Sequence, residues 1–401
     1  MKKSILFILV CFCFESVFAQ KTILAQTIKR IDGTKLSIDS LQSKIEYLMK
    51  AANVSGVAVS VFNKNKPVFS KTFGLANVKK NIPLEPTSVV YAASLSKAVF
   101  AYVAMQLVQE KVLDLDKPLV EYLNKPLYQY SSPKRYKGYQ DLVNDERYKK
   151  ITGRMCLSHT TGFPNWRWFE ADEKLKIKFD PGSRYSYSGE GIYLLQFVIE
   201  QITGKGYETI AQEKVFKPLG MSNSSQVWQK QFDQNFAYGH DAKGKPYYDL
   251  DKPDPDEAGA AGSMSTTLED FTKFYTALIG RKALTRKSFQ EMTSLQIRIK
   301  SKRQFGPMAF EDGPGNDNIE LGYGLGVGVS KTPYGKAFFK EGGDDGWKHY
   351  SICFPDKKIA TVIMTNNDNG QSIFKELLHF AIGDTFTPWK WENYIPYYQK
   401  N

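Results

Sequence analysis

The chain has 401 residues, 42% of them hydrophobic and 24% charged, enough to bury a sizeable core in one large domain or two lobes. Its formal net charge of +12 suits an anionic setting, such as a cell envelope or an acidic substrate. No aromatic-and-basic recognition motif accompanies the charge, so nucleic acid is not indicated, and four histidines never spaced i, i+4 exclude a His-Glu-x-x-His zinc hydrolase.

The first residues read as an export leader: Lys2 and Lys3, an apolar run over 5–14, then Val17-Phe18-Ala19 before Gln20. The run is too short for a comfortable membrane span and is broken by Glu15. Residues 1–19 are therefore expected to be cleaved, leaving 20–401 as one exported domain, periplasmic or secreted, with no integral span. Cys11 and Cys13 go with the leader. Cys156 and Cys353 remain, each in an apolar setting, and read as buried thiols with no metal-ligand neighbours.

Leu41, Ile45, Leu48, Met49 and Ala52 recur at helical spacing behind Asp39-Ser40, which are read as the cap. Residues 57–62 and 67–73 are strand-like and joined by Asn63-Lys64-Asn65-Lys66, a hairpin. A helix is expected over 94–111. The polar, tyrosine-rich stretch 124–150, with Tyr128, Tyr130, Tyr136, Tyr139 and Tyr148, reads as a substrate lid or a solvated insertion. Further helices are expected from Glu190 to Thr203-Gly204 and over 267–279. The acidic residues Asp249, Asp251, Asp254, Asp256 and Glu257 lack EF-hand spacing and read as a solvated face. Strands follow over 323–329, 337–340, 349–354 and 359–365, with a last helix over 372–382. Strands at both ends and helices between predict an α+β fold in two lobes. One, largely antiparallel, is a sheet lobe over about 40–93 and 276–390; into it an all-helical lobe, about 94–275, is inserted.

Ser94-Leu95-Ser96-Lys97 opens an apolar run. On a helix, i and i+3 share a face, so the Lys97 amine can reach the Ser94 hydroxyl and take its proton. Tyr187, in Ser186-Tyr187-Ser188-Gly189, has a phenol that a nearby ammonium would push toward phenolate, giving a second proton carrier. Lys340-Glu341-Gly342-Gly343 ends a strand in glycines, where a substrate can lie along the edge. His159, in Leu157-Ser158-His159-Thr160-Thr161-Gly162, reads as a structural hydrogen-bonding group. Trp166 and Trp168 are either cleft lining or packing.

With these motifs in this order, the chain resembles the serine β-lactamase and penicillin-binding-protein superfamily, on the side of class C β-lactamases, D-alanyl-D-alanine carboxypeptidases and related esterases. Ser94 and Lys97 match its Ser-x-x-Lys, and residues 157–162 its Leu-Ser-His-Thr-Ser-Gly turn. Lys217-Pro218-Leu219-Gly220-Met221, Gly262-Ser263-Met264-Ser265-Thr266 and Tyr323-Gly324-Leu325-Gly326 match recurring segments. The resemblance covers about 40–385 and implies a β-lactamase/transpeptidase-like fold. It also implies a serine hydrolase that acylates Ser94, with Lys97 and Tyr187 moving protons and the backbone N–H groups of Ser94 and Gly343 holding the oxyanion. No metal or organic cofactor is implied. The substrate would be a β-lactam, a D-Ala-terminated peptide, cell-wall material included, or a small ester. The alternative is a non-catalytic relative that binds envelope peptides or a partner protein. Two departures stand out. Gly189 replaces the asparagine of Tyr-x-Asn, and Glu341 replaces the small hydroxyl of Lys/His-Thr-Gly, with a one-residue register alternative at Glu341-Gly342-Gly343. Both predict poor turnover of anionic penicillins alongside cleavage of small activated esters.

Overall fold

The structure, a computed structural model, describes residues 27–131, 138–248, 254 and 256–399. The leader, Cys11, Cys13, Tyr136, Asp249 and Asp251 lie outside the described residues.

A nine-stranded antiparallel sheet organises the chain, and its strands come from both ends of the sequence. The first segment supplies β1 (Gly56–Asn63), β2 (Lys66–Asn77) and β3 (Ile82–Pro83). The last third supplies β4 (Ile297–Arg298), β5 (Gly322–Tyr323), β6 (Gly328–Thr332), β7 (Gly335–Asp344), β8 (Trp347–Phe354) and β9 (Ile359–Thr365). Spatial order is β3-β2-β1-β9-β8-β7-β6-β5-β4, so β1 and β9, from opposite ends of the chain, lie side by side as third and fourth strands, paired from Val57↔Thr365 to Asn63↔Ile359.

Central strands buried on both faces explain the unbroken apolar runs of β1 and β9, where a half-solvated antiparallel strand would alternate. Val57, Val59, Val61, Ile359 and Ile363 share one core with helix α1 (Ile38–Ala52). Ala58, Phe62, Ala360, Val362 and Met364 share the other with helix α2 (Ser96–Gln109). From Ser96 to Leu107 every residue of α2 is buried, as for a helix apolar on all sides. Helix α3 (Gly189–Thr203) and helix α4 (Leu268–Ile279) pack in the same core as α2. Helix α5 (Phe374–Ile382) joins α1. Cys156 and Cys353 are buried free thiols.

Several local expectations are corrected. Ser37, not Asp39-Ser40, caps α1: its side chain accepts from the Ser40 N–H. The strand expected over 323–329 is interrupted because Gly326 (φ +76°) tucks its backbone against α2, where a Cβ would stand 2.3 Å from that of Ala101. The segment 94–275 is not purely helical. Val90–Tyr91 and Ser265–Thr266 form a short antiparallel pair, and the tyrosine-rich stretch holds short 3-10 turns at Leu127–Gln129, Gln140–Leu142 and Glu146–Lys150. Tyr139 and Tyr148 are buried in the core, so these two rings are neither lid nor solvated insertion.

Candidate active site

The Val90–Tyr91/Ser265–Thr266 pair pins the chain just ahead of Ser94, and the Ala92 N–H donates to the Met264 carbonyl at 2.8 Å. Ala93 then adopts φ +47°, a conformation uncommon for a residue with a Cβ and one that active sites tend to hold. The strained residue puts Ser94 on the 3-10 turn Ala93–Leu95, so the α-helix begins at Ser96 and not at 94. The Ser96 hydroxyl fastens the turn, donating to the Ala93 carbonyl (2.6 Å) and accepting from the Met264 N–H (3.1 Å). Residues i and i+3 eclipse in a 3-10 turn. Lys97 Nζ stands 3.0 Å from Ser94 Oγ.

Lys97 is fully buried, and its second hydrogen bond goes to the Ala261 carbonyl at 2.5 Å. Burial pushes its amine well below the usual lysine value, the Lys340 charge adds to this, and Glu341 opposes it. The direction favours the neutral amine, the form that can accept a proton.

Tyr187 is held by its neighbours on the turn. The Ser186 N–H donates to the His159 carbonyl (2.9 Å), the Ser188 N–H donates to His159 Nδ1 (3.1 Å), and the His159 ring lies 4.3 Å from that of Tyr187. Burial, then the charges of Lys97 and Lys340, hold the His159 imidazole well below its ordinary value, so it is neutral. The Tyr187 hydroxyl accepts from Lys340 Nζ at 3.3 Å, and Ser94 is among the neighbours that favour its ionised form. Burial raises the phenol above its usual value despite the pull of Lys340. The phenolate expected from the sequence is thereby corrected: at rest Tyr187 keeps its proton.

Lys340 is as buried as Lys97 but differs in charge. Burial works to lower its value, yet the Glu341 carboxylate and Tyr187 outweigh burial and leave it raised. Its ammonium donates to Glu341 Oε1 (3.0 Å) and to the Glu341 carbonyl (2.8 Å). Lys340, then, is the side chain that reaches Tyr187. Glu341 is held in turn by Gln304 Nε2 at 2.6 Å.

Residues 340–344 pair with β8 on one side, from Lys340↔Ser351 to Asp344↔Trp347, while β6 reaches only as far as Phe339. The other edge of this stretch borders the Ala93–Leu95 turn that carries Ser94. A Cβ on Gly342 would stand 3.0 Å from the Ala92 carbonyl and 3.2 Å from the Leu95 nitrogen, so the strand approaches as closely as glycine permits. Ser94, Tyr187, Glu341, Gly342 and Gly343 line one cleft of about 860 Å³. Gly189 does not line it. Trp166 does, its ring filling the space beside Gly189, where a Cβ would lie 2.3 Å from the indole.

Sequence reasoning missed Ala261, Gln304, Phe305 and His349. Ala261 contributes only a carbonyl. Phe305 packs edge-on against Tyr187, with centroids 5.3 Å apart. His349 Nε2 lies 2.8 Å from the Tyr91 carbonyl, linking β8 to the approach of the turn, and burial pushes this imidazole down to about 4.

The chain is 24% identical over 381 residues to the D-alanyl-D-alanine-carboxypeptidase/endopeptidase AmpH of Escherichia coli (strain K12), covering 92% of each chain. It is 24% identical over 361 residues to a D-aminopeptidase of Brucella anthropi, covering 87% of this chain and 64% of that longer protein. Among solved structures, the octameric penicillin-binding protein homologue from Pyrococcus abyssi shares the fold, with TM-score 0.67 and 22% identity over 89% of this chain and 79% of that one. The beta-lactamase family model matches residues 41–381, and the chain belongs to that family.

Proposed function

We propose that this protein is a serine hydrolase that forms an acyl-enzyme through Ser94 and cleaves an amide or an ester. The observation that carries this is the surroundings of one hydroxyl: Lys97 Nζ stands 3.0 Å from Ser94 Oγ, with its amine driven toward the neutral form, and Tyr187 lines the same cleft as the serine. Ser94 Oγ attacks the carbonyl carbon as Lys97 takes its proton. The backbone N–H groups of Ser94 and Gly343 receive the oxyanion, where losing one donor typically costs about 2.7–4 kcal/mol. Tyr187 gives its proton to the leaving nitrogen or oxygen while the Lys340 ammonium stabilises the transient phenolate. The Lys97 ammonium then restores the phenol, and water releases the acyl group by the reverse route.

Family membership supports hydrolysis of amides or esters, and the carboxypeptidase and aminopeptidase relatives make peptides ending in D-residues the first substrates to try. The leader over 1–19 supports export, with 20–401 acting as one catalytic unit, and among the described residues no helix is long and apolar enough to cross a membrane. Labelling with a fluorescent fluorophosphonate and a fluorescent penicillin tests the proposal. At least one should mark the wild-type chain and neither the Ser94→Ala variant. Absence of both labels from folded wild type would favour the non-catalytic binding role.

A further inference from the structure

In the loop after His159, Asn165 and Arg167 fasten the chain, Trp166 between them lines the cleft, and Phe169 lines it further on. Asn165 accepts the Gly189 N–H on both its carbonyl (3.0 Å) and its Oδ1 (3.1 Å), and its carbonyl also takes the Glu190 N–H (3.1 Å). Arg167 and Glu190 form a buried two-pronged ion pair, Nε to Oε1 at 2.9 Å and Nη2 to Oε2 at 2.8 Å, and the guanidinium also donates to the Gly138 carbonyl at 2.8 Å. Trp166 and Trp168 stack on one another with centroids 4.7 Å apart and planes 10° from parallel. Trp166 lies 5.6 Å from Lys97 Nζ, and beyond the stack Trp168 and Phe169 stay 41% and 70% exposed.

Two rigid anchors thus hold a flat apolar wall against the nucleophile, at the place where the resemblance leads one to expect a polar amide. Another part of the same cleft is polar, lined by Tyr187 and Glu341 with Lys340 bonded to both, and suits a leaving group that must collect a proton. The indole flank adjoins Lys97, which is neutral once the site is poised, and suits a group that stays bonded to Ser94 and needs no hydrogen bond. Indole faces favour stacked or edge-on aromatic partners over polar ones.

We propose that the Trp166–Trp168 stack is a subsite for an aromatic substituent on the acyl side of the substrate. This rests on acyl transfer at Ser94 as argued above. The test uses the full chain and p-nitrophenyl esters that share one leaving group, acetate against phenylacetate, each kcat/KM divided by its rate with hydroxide. Wild type should favour phenylacetate by at least about tenfold; Trp166→Ala should bring the ratio near one, and Trp166→Phe should keep most of it. Circular dichroism confirms folding, and Trp168→Ala, expected to lower the ratio part-way, serves if Trp166→Ala does not fold. A flat ratio in wild type, or an unchanged ratio in both alanine variants, overturns the subsite while leaving acyl transfer standing. Cleavage of neither ester, with no fluorophosphonate label, overturns acyl transfer and the subsite with it.

Discussion

Lys97 and Lys340 both approach the Tyr187 ring, their Nζ atoms 4.9 and 5.1 Å from its centroid, yet their proton affinities are driven apart. Each is fully buried, and burial alone would strip the proton from both. Among the described residues only Lys340 of the two has a carboxylate within bonding distance, Glu341 at 3.0 Å. Lys97 has a hydroxyl and a carbonyl, neither of which carries charge. In the proposed mechanism the first lysine takes a proton and the second stabilises an anion.

The pH profile follows. In the proposed mechanism Lys97 acts unprotonated, and its value is lowered from 10.5, so kcat/KM for a neutral ester should fall as pH drops through the Lys97 ionisation, well below 10.5. Tyr187 and Lys340 act protonated and both values are raised, so the alkaline decline should come only above about pH 10. A rising limb centred at or above 10.5 would contradict the assignment of Lys97 as base.

Glu341→Gln removes the charge that keeps Lys340 protonated. The alkaline limb should move to lower pH in this variant, with the acidic limb shifting down as well, since Glu341 also raises Lys97. Ester hydrolysis followed across pH in parallel with wild type checks both shifts; an unmoved alkaline limb would mean that Lys340 takes no part.

The same carboxylate bears on substrate charge. Glu341→Thr should accelerate acylation by a penicillin by roughly tenfold, equivalent to removing about 1.4 kcal/mol of repulsion. Stopped-flow loss of a fluorescent penicillin measures this. No gain, or rapid hydrolysis of a chromogenic cephalosporin by wild type, would show that Glu341 does not select against anions.

Gly189 and Trp166 should behave as a coupled pair. Gly189→Asn alone forces a side chain into the indole and should destabilise the fold by about 1–3 kcal/mol in urea titration. Combined with Trp166→Ala, the asparagine should fit, and the double variant should be more stable than the two single losses sum to. Strict additivity would refute the contact.

Arg167 and Glu190 are both almost wholly buried, with side chains 3% and 2% exposed. Removing either partner strands the other, so Arg167→Ala or Glu190→Ala should each cost about 3–5 kcal/mol by chemical denaturation. A loss under about 1 kcal/mol would mean that the loop bearing the tryptophans is held by something else.

Much of this was legible in the chain. The β1/β2 hairpin shows in its apolar runs and its Asn-Lys turn, and the i, i+3 spacing of Ser94 and Lys97 survives the change from α-helix to 3-10 turn because both geometries place those residues on one face. The protonated phenol of Tyr187 is not legible in the turn sequence, because burial outweighs the neighbouring Lys340 ammonium and burial cannot be read from a turn. Gly189 was visible as a departure but not its cause, since the ring that fills its space comes from 23 residues earlier in the chain. Ala261 leaves no trace at all, because its contribution is backbone. Gln304 and Phe305 sit in a loop whose Gly-Pro punctuation predicts a turn and nothing about what it touches.

The central claim is a covalent bond at one oxygen. Wild-type protein mixed briefly with p-nitrophenyl phenylacetate, quenched in acid and weighed intact, should gain one phenylacetyl group that peptide mapping assigns to Ser94, and the Ser94→Ala variant should gain none. An adduct on another residue, or undiminished hydrolysis by Ser94→Ala, would contradict the account.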